Sequence, residues 1–349
     1  MRAAAADARM TAPRALRMSR AVLIERLPGY IGQALLAAFV AALIWRGVAN
    51  FVANLHALGV SAGWGFLRSQ AGFDIAQTLI AFTPQSSYLD AIVVAALNTL
   101  LVVVLASAFS TAIGVVIAFG RMAPPGLIRR ASAAYVELFR NIPLLLQILF
   151  WYSSAIALLP GVADSLQLGP VLLNNRGLFL PRVQFAHDAW MLVLNRPHVE
   201  GFDVGGGIAI LPELMALTLG LSIYNGAFFA EIFRAGILSV PRGQVEAANT
   251  VGLSGARAAL LIILPQALRV ALPAAGGQYQ TLAKASALAA AIGYPDIMQI
   301  VGGTVLSQTS QALEAMTLVV LLYAGINLLI ALIVGIVNHR LSGAEGRTP

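Results

Sequence analysis

Long apolar stretches alternate along the chain with short polar segments that carry most of the arginines. The apolar stretches run approximately from Tyr30 to Trp45, Asp90 to Gly120, Ala131 to Leu159, Pro212 to Ile232, Leu272 to Ile300 and Leu313 to Val337. A helix needs about 20 mostly apolar residues to cross the hydrocarbon core of a bilayer. The pattern therefore predicts an all-α membrane protein with about six transmembrane helices.

The composition excludes a soluble globular protein. Of the 349 residues, 59% are hydrophobic and 11% are charged, against about 25% charged in an ordinary soluble domain. The net charge of +7 does not indicate nucleic-acid binding, because Lys284 is the only lysine and the arginines lie in short clusters between apolar stretches. Cysteine is absent and the four histidines are scattered singly, so the sequence predicts neither a disulfide nor a metal site.

The arginines predict the orientation, because cytoplasmic loops retain an excess of Lys and Arg. Their distribution places both termini in the cytoplasm. Residues 1–29 are too long and basic for a typical signal peptide and lack a convincing cleavage site, so we expect a cytoplasmic segment followed by an uncleaved extra transmembrane helix at 30–52. Residues 53–89 then form an outer loop, and 90–340 form the main transmembrane domain.

A second outer loop is predicted at about Pro160–Leu211. Structureless loops of this length are uncommon, so short amphipathic helices or a partner-facing cap are expected in both outer loops. The fifth apolar stretch is the weakest of the six spans, and it contains glycines, polar residues and a proline that only a protein-lined or water-lined position tolerates. These interruptions are Gly276, Gly277, Gln278, Gln280, Lys284, Gly293 and Pro295.

The motifs of an enzyme are missing from the sequence. A transporter that hydrolyses ATP needs a phosphate-binding loop that ends in Gly-Lys-Ser/Thr, whereas the only lysine lies in Ala283-Lys284-Ala285. The chain also lacks the His-Glu-x-x-His and Gly-x-Ser-x-Gly motifs. We therefore predict no catalytic residue, no bound cofactor and no ATPase site in this chain.

The segment 239–266 between two predicted spans is unlike an ordinary loop. Pro241 suits the first turn of a helix and Gly252 suits its carboxyl end, whereas Ser254 can cap a second helix that Pro265 stops or kinks. Two short helices joined at a glycine are expected.

The faces of the first short helix suggest a docking role. Ala247 and Ala248 are expected to keep one face thin enough for close helix packing. Polar anchors on the exposed side are Arg242, Gln244 and Glu246.

This segment resembles the cytoplasmic signature of the membrane-spanning permease subunits of bacterial ABC importers. The matching residues are Glu246-Ala247-Ala248, Gly252, Ile262 and Leu264-Pro265, at the spacing of that family. The resemblance implies a type I importer transmembrane domain in the bacterial inner membrane. It also implies that the segment, including Arg242, Gly243 and Gln244, is a coupling helix that docks on an ATPase subunit.

The flanking blocks are similar to those of permeases for polar and general L-amino acids. These blocks are Tyr135–Gln147, Ala230–Ile237 and Leu264–Arg269, and Ile292–Asp296 fits the general L-amino-acid subgroup. Ala285-Ser286-Ala287 departs from the more polar residues usual after this lysine. The resemblance therefore implies amino-acid import and makes a broad range of L-amino acids the expected specificity.

The partners that the resemblance implies are a second permease subunit, identical or homologous, two ATPase subunits that bind ATP-Mg, an extracytoplasmic amino-acid-binding protein and membrane lipid. Alternating access driven by the ATPases is the implied mechanism. Three alternatives are an ion-coupled secondary carrier, an ABC permease for another small polar solute and an intramembrane hydrolase. The carrier would need a coupling acid at mid-membrane and a repeat, and the hydrolase a histidine base at depth; neither pattern is evident.

Charged pairs inside the spans have a structural interpretation. Glu137 with Arg140 and Glu231 with Arg234 lie three residues apart, so each pair can neutralise itself on one helix face. Both pairs are expected near cytoplasmic ends, where they anchor the coupling region rather than touch substrate.

Other polar residues are candidates for a substrate pathway. Tyr224, Asn225, Gln278 and Gln280 can line a polar cavity or form hydrogen bonds between helices. Lys284 is costly in a membrane unless it faces water or a partner. It belongs either to the pathway or to a cytoplasmic anchor.

Overall fold

The computed structural model describes residues 14–57, 63–186 and 191–342. The chain divides into two units, residues 1–62 and 63–349. The first unit contains helix α1 (Arg14–Ala57), whose stretch Tyr30–Asn54 is long and apolar enough to cross a membrane. Residues 1–13 of the predicted basic segment lie outside the described residues.

The second unit is mostly helical. Its α-helices are α2 (Tyr88–Met122), α3 (Leu127–Asn141), α4 (Leu144–Leu158), α5 (Pro212–Leu238), α6 (Arg242–Thr250), α7 (Gly255–Ala258), α8 (Leu264–Ala285), α9 (Leu306–Thr309) and α10 (Ala312–Ser342). In the described parts of both units, five helices can span a membrane, or six spans result if α3 and α4 count as one. The predicted helical membrane fold with about six spans is confirmed.

The third predicted span, Ala131–Leu159, is broken rather than straight. Helices α3 and α4 meet at an angle of 101°. Pro143 causes the break, because proline excludes the α-conformation for the residue before it, and Ile142 is extended, with φ −88° and ψ 127°. The Gln147 amide donates hydrogen bonds of 3.0 Å to the carbonyl groups of Phe139 and Ile142, which the interrupted helix leaves without helical partners.

The fifth span begins and ends earlier than the sequence suggests. A helical run of 38 residues covers Gly255–Ile292 and includes α7, a π-helical turn, α8 and a 3₁₀ segment. Pro265 therefore does not stop the second helix: it follows the π-helical turn Ala259–Ile263 and lies inside the continuous helical run, in the first turn of α8. The run ends at Gly293 (φ +77°), and a separate π-helical segment, Met298–Val305, follows.

Close contact between α2 and α5 forms the centre of the second unit. A Cβ atom added at Gly114 would lie 2.5 Å from Cβ of Phe229, and one at Gly226 would lie 2.7 Å from Cγ2 of Ile113. Small residues thus allow the two backbones to approach, as is usual for helices that pack in membranes.

We expect Gly114→Val to destabilise the protein strongly. Overpacking a tight contact costs typically 1–3 kcal/mol, and here the added atoms meet the Phe229 side chain and the α5 backbone. Thermal unfolding in detergent should show a lower Tm. Gly325→Val is the matched control, because an added Cβ at Gly325 meets nothing within 4 Å; equal Tm values for the two variants would contradict this packing.

The predicted second outer loop contains strands, whereas short amphipathic helices or a partner-facing cap were expected. Eight strands form in its described residues: β1 (Leu166–Leu168), β2 (Val171–Asn174), β3 (Gly177–Leu180), β4 (Arg182–Ala186), β5 (Met191–Asn195), β6 (His198–Glu200), β7 (Asp203–Gly205) and β8 (Ile208–Ile210). Strands β1, β2, β3 and β8 form one antiparallel sheet in that order, and β4–β5 and β6–β7 form two hairpins. The all-α prediction therefore fails for this insertion.

The tip of the β6–β7 hairpin is strongly exposed. Phe202 at the tip is 91% exposed. Nearby, Arg176 pairs with Asp203 at 3.5 Å, and His198 Nε2 lies 2.6 Å from Glu200 Oε1. A hydrogen bond to the Arg196 carbonyl, and secondarily one to the Glu200 carboxylate, raises the pKa of His198 above its ordinary value.

The predicted first outer loop also holds little helix from residue 63 onward. Only the 3₁₀ turn Trp64–Arg68 forms between residues 63 and 87. Its Phe66 packs with Tyr88 and with Ile300 of the π-helical segment in an apolar cluster. The Glu314 carboxylate at the start of α10 accepts a hydrogen bond of 2.6 Å from the Gly63 N–H.

Candidate coupling element and translocation groove

Helix α6, the turn after it and α7 form the candidate coupling element, residues 241–258, within the predicted coupling segment 239–266. The helix starts directly after Pro241 and ends before Gly252, which has a left-handed backbone with φ +78°. The Gly252 N–H donates to the Asn249 carbonyl and the Leu253 N–H donates to the Ala248 carbonyl, both at 3.0 Å. This is the Schellman pattern that ends helices at glycine.

Most side chains of α6 are exposed. Those of Arg242, Gln244 and Glu246 are exposed, as is the backbone at Gly243. The two alanines do not share a face as expected: Ala248 is 1% exposed, whereas Ala247 faces outward. Neighbouring helical residues differ by about 100° in direction, so of the two alanines only Ala248 packs against the rest of the chain.

The coupling element is continuous with the long fifth span. Ser254 occupies the N-cap position of α7 as predicted, but no side-chain capping hydrogen bond is found there. From α7 the chain stays helical through the turn Ala259–Ile263 into α8. Ile262 and Pro265 in this connection are half-buried and Leu264 is exposed.

Charged residues connect α2 and α3 to the last turns of α5. Glu231 accepts hydrogen bonds from Arg234 at 2.8 and 3.1 Å and lies 3.3 Å from Arg121 of α2. The expected pair of Glu137 with Arg140 does not form in the described residues. The Arg140 guanidinium instead stands 4.7 Å above the ring centre of Phe228, a favourable contact between a cation and an aromatic face.

The predicted pathway residues separate into two groups. Asn225 is buried between α5 and α8, and its Oδ1 accepts a 2.8 Å hydrogen bond from Gln278 Nε2. Tyr224 next to it packs its ring 5.0 Å from that of Phe228. Asn225 and Gln278 thus form a hydrogen bond between helices, which is one of the two roles predicted for them.

Gln280 and Lys284 line a groove between α8 and α10. This α8–α10 groove has a volume of about 520 Å³. Its polar residues are Gln280, Lys284, Tyr323 and Asn327, and its apolar residues are Val319, Val320 and Ala324. Gln280 Nε2 donates to the Asn327 carbonyl at 3.1 Å. Lys284 is exposed, and no hydrogen bond or ion pair holds it among the described residues.

The sequence analysis did not single out several residues of the Glu231 cluster and of the α8–α10 groove. Arg121 joins the Glu231 cluster, and Asp296 and Tyr323 form a hydrogen bond beside the groove. Asp296 and Tyr323 are 27 residues apart and lie in different elements, so no local spacing connects them. The only available signal was a carboxylate inside an apolar stretch, which is costly and often functional.

The fold and these sites define a polytopic membrane protein with an exposed helical element between two of its spans. The sequence profile of the family described as "Binding-protein-dependent transport system inner membrane component" matches residues 110–343. The chain belongs to this family, which confirms the resemblance to ABC importer permeases.

Named relatives match most of the chain. A putative amino-acid ABC transporter permease protein, YhdX of Escherichia coli strain K12, is 36% identical over 85% of this chain and 89% of its own length. The general L-amino acid transport system permease protein AapQ of Rhizobium johnstonii is 35% identical, with coverage of 86% and 89%.

Solved structures share the fold. A subunit in the crystal structure of an amino acid ABC transporter with histidines matches with a TM-score of 0.53 and 24% identity, and covers 72% of this chain and 95% of that chain. A subunit of the inward-facing MetNI methionine ABC transporter matches with a TM-score of 0.50 and 18% identity, covering 72% and 97%. About a quarter of this chain thus lies outside the fold shared with each of them.

Proposed function

We propose that this chain is the permease subunit of an ABC importer for amino acids, with a broad range of L-amino acids as substrates. The observation that carries the proposal is the exposed coupling element, with left-handed Gly252 at the family's signature position. The names of YhdX and AapQ support amino acids as the substrate class.

The proposed mechanism is alternating access driven from outside the chain. ATP-Mg binds to two partner ATPase subunits, and their closure moves α6. Helix α6 joins α7 through the turn at Gly252, and α7, the π-helical turn and α8 then follow without a helical break, so movement of α6 is transmitted to α8 and thereby to the α8–α10 groove. A second permease subunit completes the pathway, and an extracytoplasmic binding protein delivers the substrate.

Co-expression with candidate partners tests the assembly. The chain should purify with two ATPase subunits and a second permease copy or homologue. An ion-coupled carrier would instead transport without any ATPase, and an ABC permease for another small polar solute would assemble normally but fail to transport amino acids.

The proposed orientation has a direct test, because the chain contains no cysteine. In spheroplasts, a membrane-impermeant maleimide should label Phe202→Cys at the β6–β7 tip but label Asn249→Cys on α6 only after permeabilisation. Both positions are exposed, so access to reagent depends on the side of the membrane. Labelling of Asn249→Cys in intact spheroplasts would contradict cytoplasmic coupling.

A further inference from the structure

Asp296 is a buried carboxylate next to the α8–α10 groove. It is 1% exposed. Its Oδ1 accepts a hydrogen bond from the Gln299 N–H and its Oδ2 accepts one from the Tyr323 hydroxyl, both at 2.8 Å. No Lys, Arg or His forms an ion pair with it in the described part of the chain. Burying a carboxylate without an ion-pair partner is costly, so packing alone does not explain the presence of Asp296.

The loop that holds Asp296 is fixed to α2 on both sides. The Tyr294 hydroxyl donates to the Asn98 carbonyl at 3.1 Å, and Asn98 Nδ2 donates to the Pro295 carbonyl at 3.0 Å. The Ile297 N–H donates to Thr99 Oγ1 at 3.1 Å. Asp296 therefore has a defined position relative to α2.

Tyr323 connects this carboxylate to the groove. Its side chain lines the groove together with Lys284, while its hydroxyl is bonded to Asp296. The Asn327 amide donates to the Tyr323 carbonyl at 2.7 Å, and Gln280 donates to the Asn327 carbonyl. Tyr323 thus belongs to a network that joins α8, α10 and the Asp296 loop.

The groove consequently lies between two electrostatic poles, Lys284 in its lining and Asp296 behind Tyr323 in its wall. Lys284 brings a positive charge, and the Asp296–Tyr323 pair brings a negative charge that no basic side chain among the described residues neutralises. Charges act strongly over short distances in a medium of low dielectric constant. An α-amino acid carries a carboxylate and an ammonium group on one carbon, and these groups match the two poles.

We propose that Asp296 is a positioning residue that holds Tyr323 in the wall of the α8–α10 groove, so that this wall selects the ammonium group of an α-amino acid while Lys284 faces its carboxylate. The inference rests on the amino-acid transport proposed above. It differs from a merely structural role, in which Asp296 only caps the helical segment Met298–Val305 through the Gln299 N–H.

Ligand binding to the complete complex distinguishes these roles. The complex is placed in lipid nanodiscs without binding protein, and a panel of ¹⁴C-labelled L-amino acids is screened for the one that binds most tightly. The dissociation constants of this amino acid and of its deaminated carboxylic acid are then compared. The wild type should prefer the amino acid.

Both Asp296→Asn and Tyr323→Phe should lower that preference by roughly tenfold. The first variant removes the negative charge from the hydrogen bond between Asp296 and Tyr323, and the second removes its donor. Tyr88→Phe is the matched control, since it removes another tyrosine hydrogen bond, to Gln308, away from the groove. The preference should be unchanged in this variant. Should Asp296→Asn fail to fold, Tyr323→Phe alone decides the question.

Several results would overturn the inference. They are a wild-type complex without preference for the ammonium group, variants with unchanged preference, and variants that lose affinity equally for both ligands. A wild-type complex that transports amino acids with ATP but binds none of the panel would also overturn it, while leaving the proposed importer function intact.

Discussion

Gly252→Arg should abolish ATP-driven uptake while the protein still inserts in the membrane. At φ +78° a residue with a Cβ atom is strained by about 1–2 kcal/mol, so the Schellman turn after α6 should distort. The arginine side chain would also project from an exposed element that is proposed to fit closely against an ATPase subunit. Uptake into membrane vesicles and co-purification of the ATPase subunits measure the two effects.

Two other variants separate backbone strain from blocked docking. Gly252→Ala introduces the strain with little bulk, so we expect reduced but measurable uptake. Gly72→Arg places the same side chain at another left-handed glycine with open space around it, φ +72°, outside the coupling element. It should leave ATPase binding unchanged. Normal uptake by Gly252→Arg would contradict the coupling role.

Lys284→Met should strongly reduce transport of every amino acid without loss of complex assembly. The Lys284 side chain is exposed in the α8–α10 groove and has no ion-pair partner in the described residues. This position favours the pathway role over a cytoplasmic anchor, because the ammonium is free to meet a substrate carboxylate. A charged hydrogen bond contributes about 1.5–3 kcal/mol, which corresponds to roughly ten- to hundredfold in affinity.

The anchor hypothesis predicts a different pattern for the same position. Lys284→Met would then lower complex stability, whereas Lys284→Arg would be tolerated. ATPase stimulation by the loaded binding protein, measured on intact purified complexes, distinguishes the two roles. Normal stimulation and normal uptake with Lys284→Met would exclude both.

Features determined by local sequence were predictable. The apolar stretches located the first, second, fourth and sixth spans because bilayer thickness sets helix length. The end of α6 at Gly252 was predictable because a left-handed backbone requires glycine. The ion pair of Glu231 with Arg234 follows from helical spacing on one face.

Features that depend on distant contacts were not predictable. The bend at Pro143 was not predicted, because the apolar residues before and after it together have the length of one span. The strands between α4 and α5 are only three to five residues long, too short for a clear alternating pattern. The spacing predicted that Arg140 pairs with Glu137. In the structure Arg140 instead contacts Phe228, which belongs to another helix.

ATP-driven accumulation of labelled L-amino acids in proteoliposomes tests the central claim most directly. The vesicles contain this chain with its second permease and ATPase subunits, and the loaded binding protein is supplied on the outer side. Accumulation should require ATP, the binding protein and an intact Gly252. Accumulation driven by an ion gradient without ATP or the ATPase subunits would contradict the account.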